Sequence, residues 1–81
     1  MVRVTLGGAL PEMAGGRTEF ELEAKNVRQV LDGLARACPA LAPALEEGVA
    51  VAIDGEINTG AWFTPVSEAN EIYVLPMIAG G

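Results

Sequence analysis

Only one stretch of this chain, Asn26 to Cys38, carries apolar residues at helical spacing; elsewhere the clear apolar patterns alternate with a period of two. Val27, Val30, Leu31, Leu34, Ala35 and Cys38 line one face of that stretch, and Arg28, Gln29, Asp32 and Arg36 occupy the other. Asn26 is a good N-cap, and Pro39 stops the run near Ala37 or Cys38. Gly33 inside the helix costs about 1 kcal/mol against alanine, which a close packing contact would explain. One helix of this length covers one face of a small sheet and no more, so the chain predicts an α+β domain of two layers.

The strands follow from alternation. Val2, Val4 and Leu6 alternate with Arg3 and Thr5, and Gly7-Gly8 breaks the pattern. The segment up to Gly16 reads as a loop, with Leu10 and Met13 folding back over the edge of the domain. Thr18, Phe20 and Leu22 alternate with Glu19, Glu21 and Glu23, a second strand with an acidic outer face and an antiparallel partner of the first. After the helix, Pro39 to Gly48 is a connector with a short turn around Leu41 and Leu45. Val49, Val51 and Ile53 alternate with alanines, Asp54-Gly55 is a hairpin turn, and Glu56-Ile57-Asn58 is the return. The apolar run Ala61 to Val66 carries Pro65 and reads as an edge strand or an ordered loop. Ser67 to Asn70 is a turn, and a closing strand begins at Glu71.

The first and last strands carry the strongest alternation, which places them centrally; a helical crossover makes them parallel. In the last strand Ile72 and Val74 share the helix face. Tyr73 and Leu75 then lie on the uncovered face, beside Met77 and Ile78, as an exposed apolar patch of the kind that marks docking surfaces. Trp62 and Phe63 either join that face or pack into the core from an edge strand.

Composition narrows the functions. Eighty-one residues fit one domain, 1–81, with residues 76–81 as an extended, flexible tail. A net charge of −6 argues against a nucleic-acid backbone and against an anionic membrane surface as partners. With no histidine and a single cysteine, neither an internal disulfide nor a His-based site is available. Cys38 reads as a small core hydrophobe, with no neighbouring base to activate it. Asp54 and Glu56, which flank a turn glycine, read as solvated hairpin charges before they read as a metal or acid–base pair. Gly7-Gly8 and Gly15-Gly16 lack the context of a phosphate loop. No metal site is expected. The simplest location is the cytoplasm.

The chain closes on Ala79-Gly80-Gly81. Such a tail is either an idle end or a thin rod that threads a narrow channel and delivers its terminal carboxylate, glycine having no Cβ to obstruct entry.

Two strands, a helix, two or three further strands and a terminal Gly-Gly resemble the ubiquitin-like β-grasp fold: a mixed sheet of four to five strands on one main helix. The ending Asn70-Glu71-Ile72-Tyr73-Val74-Leu75-Pro76-Met77-Ile78-Ala79-Gly80-Gly81 resembles the ThiS/MoaD-like sulfur carriers, which include the thiamin-pathway carrier and the small subunit of molybdopterin synthase. The helix start, Asn26 to Leu31, agrees loosely. Length is nearer to the molybdopterin-synthase subunit, but Met77-Ile78 stands where that subunit usually has Pro-Val.

The resemblance implies a carrier rather than an enzyme in its own right. A partner similar to ubiquitin-activating enzymes would use ATP to adenylate the Gly81 carboxylate, and a sulfur donor would convert it to a thiocarboxylate for a sulfur-accepting synthase subunit. The chain itself would bind no cofactor. Gly80 and Ala79 would thread the tail, and Tyr73, Leu75, Pro76, Met77 and Ile78 would dock on the partner. Two other readings stay open. One is a modifier joined through Gly81 to a partner's lysine; the other is a non-covalent interaction module, as in phage tail assembly proteins of similar fold.

Overall fold

The computed structural model describes residues 1–58 and 62–76. Its strands are β1 (Val2–Leu6), β2 (Glu19–Leu22), β3 (Val49–Ile53), β4 (Glu56–Asn58) and β5 (Ile72–Pro76). They form one sheet in the order β2-β1-β5-β3-β4. β1 pairs antiparallel with β2 and parallel with β5, as a crossover through the helix requires. β3 lies antiparallel to both β5 and β4. β5 is therefore the middle strand. Pro76, expected to open the tail, is instead the last residue of β5 and stands opposite Val49. Proline is tolerated at a strand end, where its missing N–H costs little.

The main helix, α2 (Val27–Ala37), packs Val27, Val30, Leu31 and Leu34 onto the sheet. Asn26 Oδ1 accepts from Gln29 N at 2.9 Å, and Gln29 Oε1 reaches back to Lys25 N at 2.8 Å, close to a capping box. Two further orphan donors are bonded across the chain: Val27 N donates to Thr64 O at 3.1 Å and Arg28 N to Trp62 O at 2.8 Å. Residues 62–66 are thus an ordered loop rather than a strand, held by these bonds and by a bridge between Asn26 and Pro65. At Gly33, an added Cβ would lie 3.3 Å from Leu22 Cδ1, the close approach of α2 to β2 that the glycine permits.

One segment read as a loop and one connector read as holding a short turn both contain short helices. Within the first loop, Leu10–Met13 forms α1, one turn with Pro11 near its start. In the connector, a 3₁₀ turn (Pro39–Leu41) leads into α3 (Ala42–Glu47). Both bring a leucine inward. Leu10 and Leu41 are fully buried with Val4, Leu34, Ile72 and Val74, so Leu10 belongs to the core rather than to an edge. Met13 is exposed, and Cys38 is half-buried at the margin of the core. Among the described residues, no helix is long and apolar enough to cross a membrane.

Candidate functional site

Among the described residues, the helices leave one side of the sheet bare, and register determines what that side carries. Tyr73 on β5 stands opposite Thr5 on β1 and Ala52 on β3, and Ala52 stands opposite Ile57 on β4. Leu75 stands opposite Ala50. Directly paired residues share a face, so Tyr73, Leu75, Ala50, Ala52 and Ile57 form one apolar surface across three adjacent strands. Tyr73 is 43% exposed and Ile57 66% exposed, whereas their chain neighbours Ile72 and Val74 are buried. The alanines between them keep the surface low, so the tyrosine ring and the two aliphatic side chains stand above it.

Toward β2 the same face turns acidic. Glu19 and Glu21 stand opposite Thr5 and Arg3, and a shallow concavity lies among Arg3, Glu21, Glu68, Glu71 and Tyr73. Met1 Nα donates to Glu68 Oε1 at 2.6 Å, and this hydrogen bond and ion pair hold the Glu68 carboxyl below its usual range.

The hairpin between β3 and β4 turns on Asp54 (φ 52°) and Gly55 (φ 87°), both left-handed as this two-residue turn demands. The Asp54 carboxylate is engaged by the chain itself. Its Oδ1 accepts from Glu71 N at 2.8 Å and its Oδ2 from Asn70 Nδ2 at 2.6 Å. Those bonds, the backbone one foremost, lower its pKa. Asp54 therefore braces the start of β5.

Of the residues singled out from the sequence, Tyr73 and Leu75 lie together on the bare face; Pro76, the last residue of β5, pairs with the buried Val49 and so falls on the helix side of the sheet. Met77, Ile78, Ala79, Gly80 and Gly81 lie outside the described residues. Trp62 and Phe63 are exposed, at 43% and 75%, so neither packs into the core as an edge strand would. They sit on the loop that caps α2. Sequence reasoning missed Ala50, Ala52 and Ile57 as members of the face. The signal was present: in a strand whose valines face the core, the intervening alanines must face away.

A five-stranded mixed sheet with parallel first and last strands and one main covering helix is the ubiquitin-like β-grasp, here with an apolar sheet face that runs to the end of β5. The ThiS family's sequence profile matches residues 4–81, nearly the whole length, and the chain belongs to that family. No curated protein matches it. Among solved structures it is similar to the small archaeal modifier protein 1 from Methanosarcina acetivorans, with 27% identity, 99% of this chain and 95% of that chain covered, and a TM-score of 0.81. A BexX/CysO complex from Amycolatopsis orientalis contains a chain matched at 20% identity over 100% of both chains, with a TM-score of 0.78. A complex of subunits 1 and 2 of molybdopterin-converting factor from Helicobacter pylori 26695 is matched at 20% identity over 99% of this chain and 97% of that one, with a TM-score of 0.68.

Proposed function

We propose that this chain is a sulfur carrier whose reactive group is the carboxylate of Gly81. Adenylation by an ATP-using partner attaches that carboxylate to the α-phosphate and expels pyrophosphate. A sulfide-level donor then adds to the activated carbonyl, and AMP leaves with the bonding pair. The product, a thiocarboxylate, is a sulfur nucleophile that remains tethered to a recognisable protein. ATP is consumed at the partner's site, and the carrier contributes recognition and delivery. The destination is a synthase subunit in a biosynthetic pathway of the molybdopterin or thiamin type.

The observation that carries this reading is the continuity of the bare face with the tail. Tyr73 and Leu75 lie on the central strand, and the residues after Pro76 lead to Gly80 and Gly81. A partner that grips the apolar face therefore holds the strand that leads directly, in sequence, to Gly81. Membership in the ThiS family supports the same reading, as do the partner-bound states named for the Amycolatopsis and Helicobacter relatives. Likeness to an archaeal modifier protein favours a second reading, in which the activated Gly81 is passed to an amine instead of to sulfur.

The intact mass of the protein from its own cells, repeated after incubation with ATP, the activating enzyme and a sulfur source, tests both. A gain equal to one oxygen exchanged for sulfur, located on the C-terminal peptide and abolished by deletion of Gly81, supports the carrier. A covalent protein conjugate through Gly81 supports the modifier. No adduct under either condition overturns both.

A further inference from the structure

Along β1, Arg3 and Thr5 point to the bare face, and position 7 is next in that alternation. It is a glycine. Gly7 N donates to Val74 O at 2.8 Å, which extends the β1–β5 ladder and holds the Gly7 backbone against β5. A Cβ at Gly7 would stand 2.5 Å from Tyr73 Cε1 and closer still to Leu75 Cδ2. The φ angle of Gly7 is not in the left-handed region, so the backbone does not demand glycine there; the side chains above it do. At Gly8, φ is 59°, and a Cβ would stand 2.7 Å from both Cγ and Cδ of Pro76. By contrast, Gly15 has a φ of 72° with nothing within 4 Å of an added Cβ.

We propose that Gly7 and Gly8 are positioning residues: a seat without side chains that sets Tyr73, Leu75 and Pro76 in the arrangement the activating partner recognises. The inference rests on the carrier reading above. The atoms that an alanine at position 7 would displace are a terminal leucine methyl and the edge of a half-exposed ring, both free to move outward. The fold survives that movement. The surface presented at the root of the tail does not.

The test compares Gly7→Ala, Gly8→Ala and Gly15→Ala with the unaltered chain. Carbon–proton NMR spectra report the Tyr73 ring and the Leu75 methyls. Isotope-labelled protein, distinguishable by mass from the resident copy, is incubated in clarified lysate of the source cells with ATP and sodium sulfide, and thiocarboxylate formation is followed against carrier concentration. Gly7→Ala is expected to fold, to shift the Tyr73 and Leu75 signals, and to raise the half-saturating concentration about tenfold with the limiting rate kept within about twofold, since a lost docking contact weakens binding rather than chemistry. Gly8→Ala weakens saturation in the same sense. Gly15→Ala carries similar backbone strain without the contact and saturates as the unaltered chain does. Should Gly7→Ala fail to fold, the Gly8 and Gly15 variants decide the matter, and equal behaviour of those two overturns the seat. Unmoved Tyr73 and Leu75 signals, or an unchanged half-saturating concentration in Gly7→Ala, overturn it as well. If the unaltered chain gains no sulfur, the carrier reading falls and this inference with it. If the unaltered chain is converted and Gly7→Ala saturates alike, only this inference falls.

Discussion

Asp54 accepts a hydrogen bond from Asn70 Nδ2 at 2.6 Å, tying the β3–β4 hairpin to the turn that precedes the central strand. A second bond, from Glu71 N to the other carboxylate oxygen, makes the tie bidentate. Two turns far apart in sequence are thus clamped at the point where β5 enters the sheet.

The clamp carries a pH dependence. The Asp54 pKa is lowered in the fold by the Glu71 backbone bond and then by Asn70. Its contribution is therefore fully present above the ordinary carboxylate range and is lost as pH falls through the folded pKa. Asp54→Asn keeps a residue that tolerates the φ of 52° but removes the titrating group. Melting temperatures of the two proteins, measured from neutral to acidic pH, should differ most at neutral pH and converge on acidification. Glu68, also lowered, titrates in both proteins and cancels. Parallel curves would contradict the clamp.

Removal of the helix cap should register in stability alone. Asn26→Ala deletes the acceptor for Gln29 N and is expected to cost about 1 kcal/mol, or about 4–8 °C in melting temperature for a domain of this size. Gln29→Ala removes only the arm to Lys25 N and should cost less. Thermal denaturation of both variants gives the order.

The connector between α2 and β3 should behave as core. Leu41 is fully buried, whereas Leu45 is partly buried at the periphery. Leu41→Ala should destabilise by about 2–5 kcal/mol, a large part of the margin of so small a domain, and Leu45→Ala by distinctly less. Urea denaturation separates the two, and a Leu41→Ala protein as stable as the Leu45 variant would refute the placement.

Under the carrier proposal, the bare face and the capping loop should separate function from exposure. Tyr73→Ala removes the most prominent ring of the face and should raise the half-saturating concentration for thiocarboxylate formation about tenfold, with a stability change of about 1 kcal/mol. Trp62→Ala removes a side chain exposed to the same degree but located beside the start of α2, and should leave saturation unchanged. Equal effects of the two substitutions would argue against the sheet face as the docking surface.

Much of the fold was legible because its signals are local. The Asn26 cap, the spacing from Val27 to Leu34 and the Asp54-Gly55 turn lie within a few residues of the structure they specify, and each appears where the pattern places it. The same holds for the partition of β5 into Ile72 and Val74 inward and Tyr73 and Leu75 outward, since the pleat turns alternate residues to opposite faces. The short helices were harder to read. α1 and α3 are too brief to show a period, and Leu10 and Leu41 are buried where α1 and α2 pack against the 3₁₀ turn, a contact between segments distant in sequence. The breadth of the candidate site was hidden for a related reason: Ala50, Ala52 and Ile57 acquire meaning only once β3 and β4 are known to flank β5.

The sequence by itself determined the main helix, the strands and their order, and the inward and outward faces of β5, because period, caps and turn chemistry are properties of neighbouring residues. Tertiary structure alone decided which residues meet across the sheet: Tyr73 beside Ala52, Pro76 opposite Val49 within the strand, and Gly7 beneath Leu75. Those contacts join parts of the chain distant in sequence. Their geometry depends on strand order and register, which are set by burying every apolar face at once rather than by any one segment.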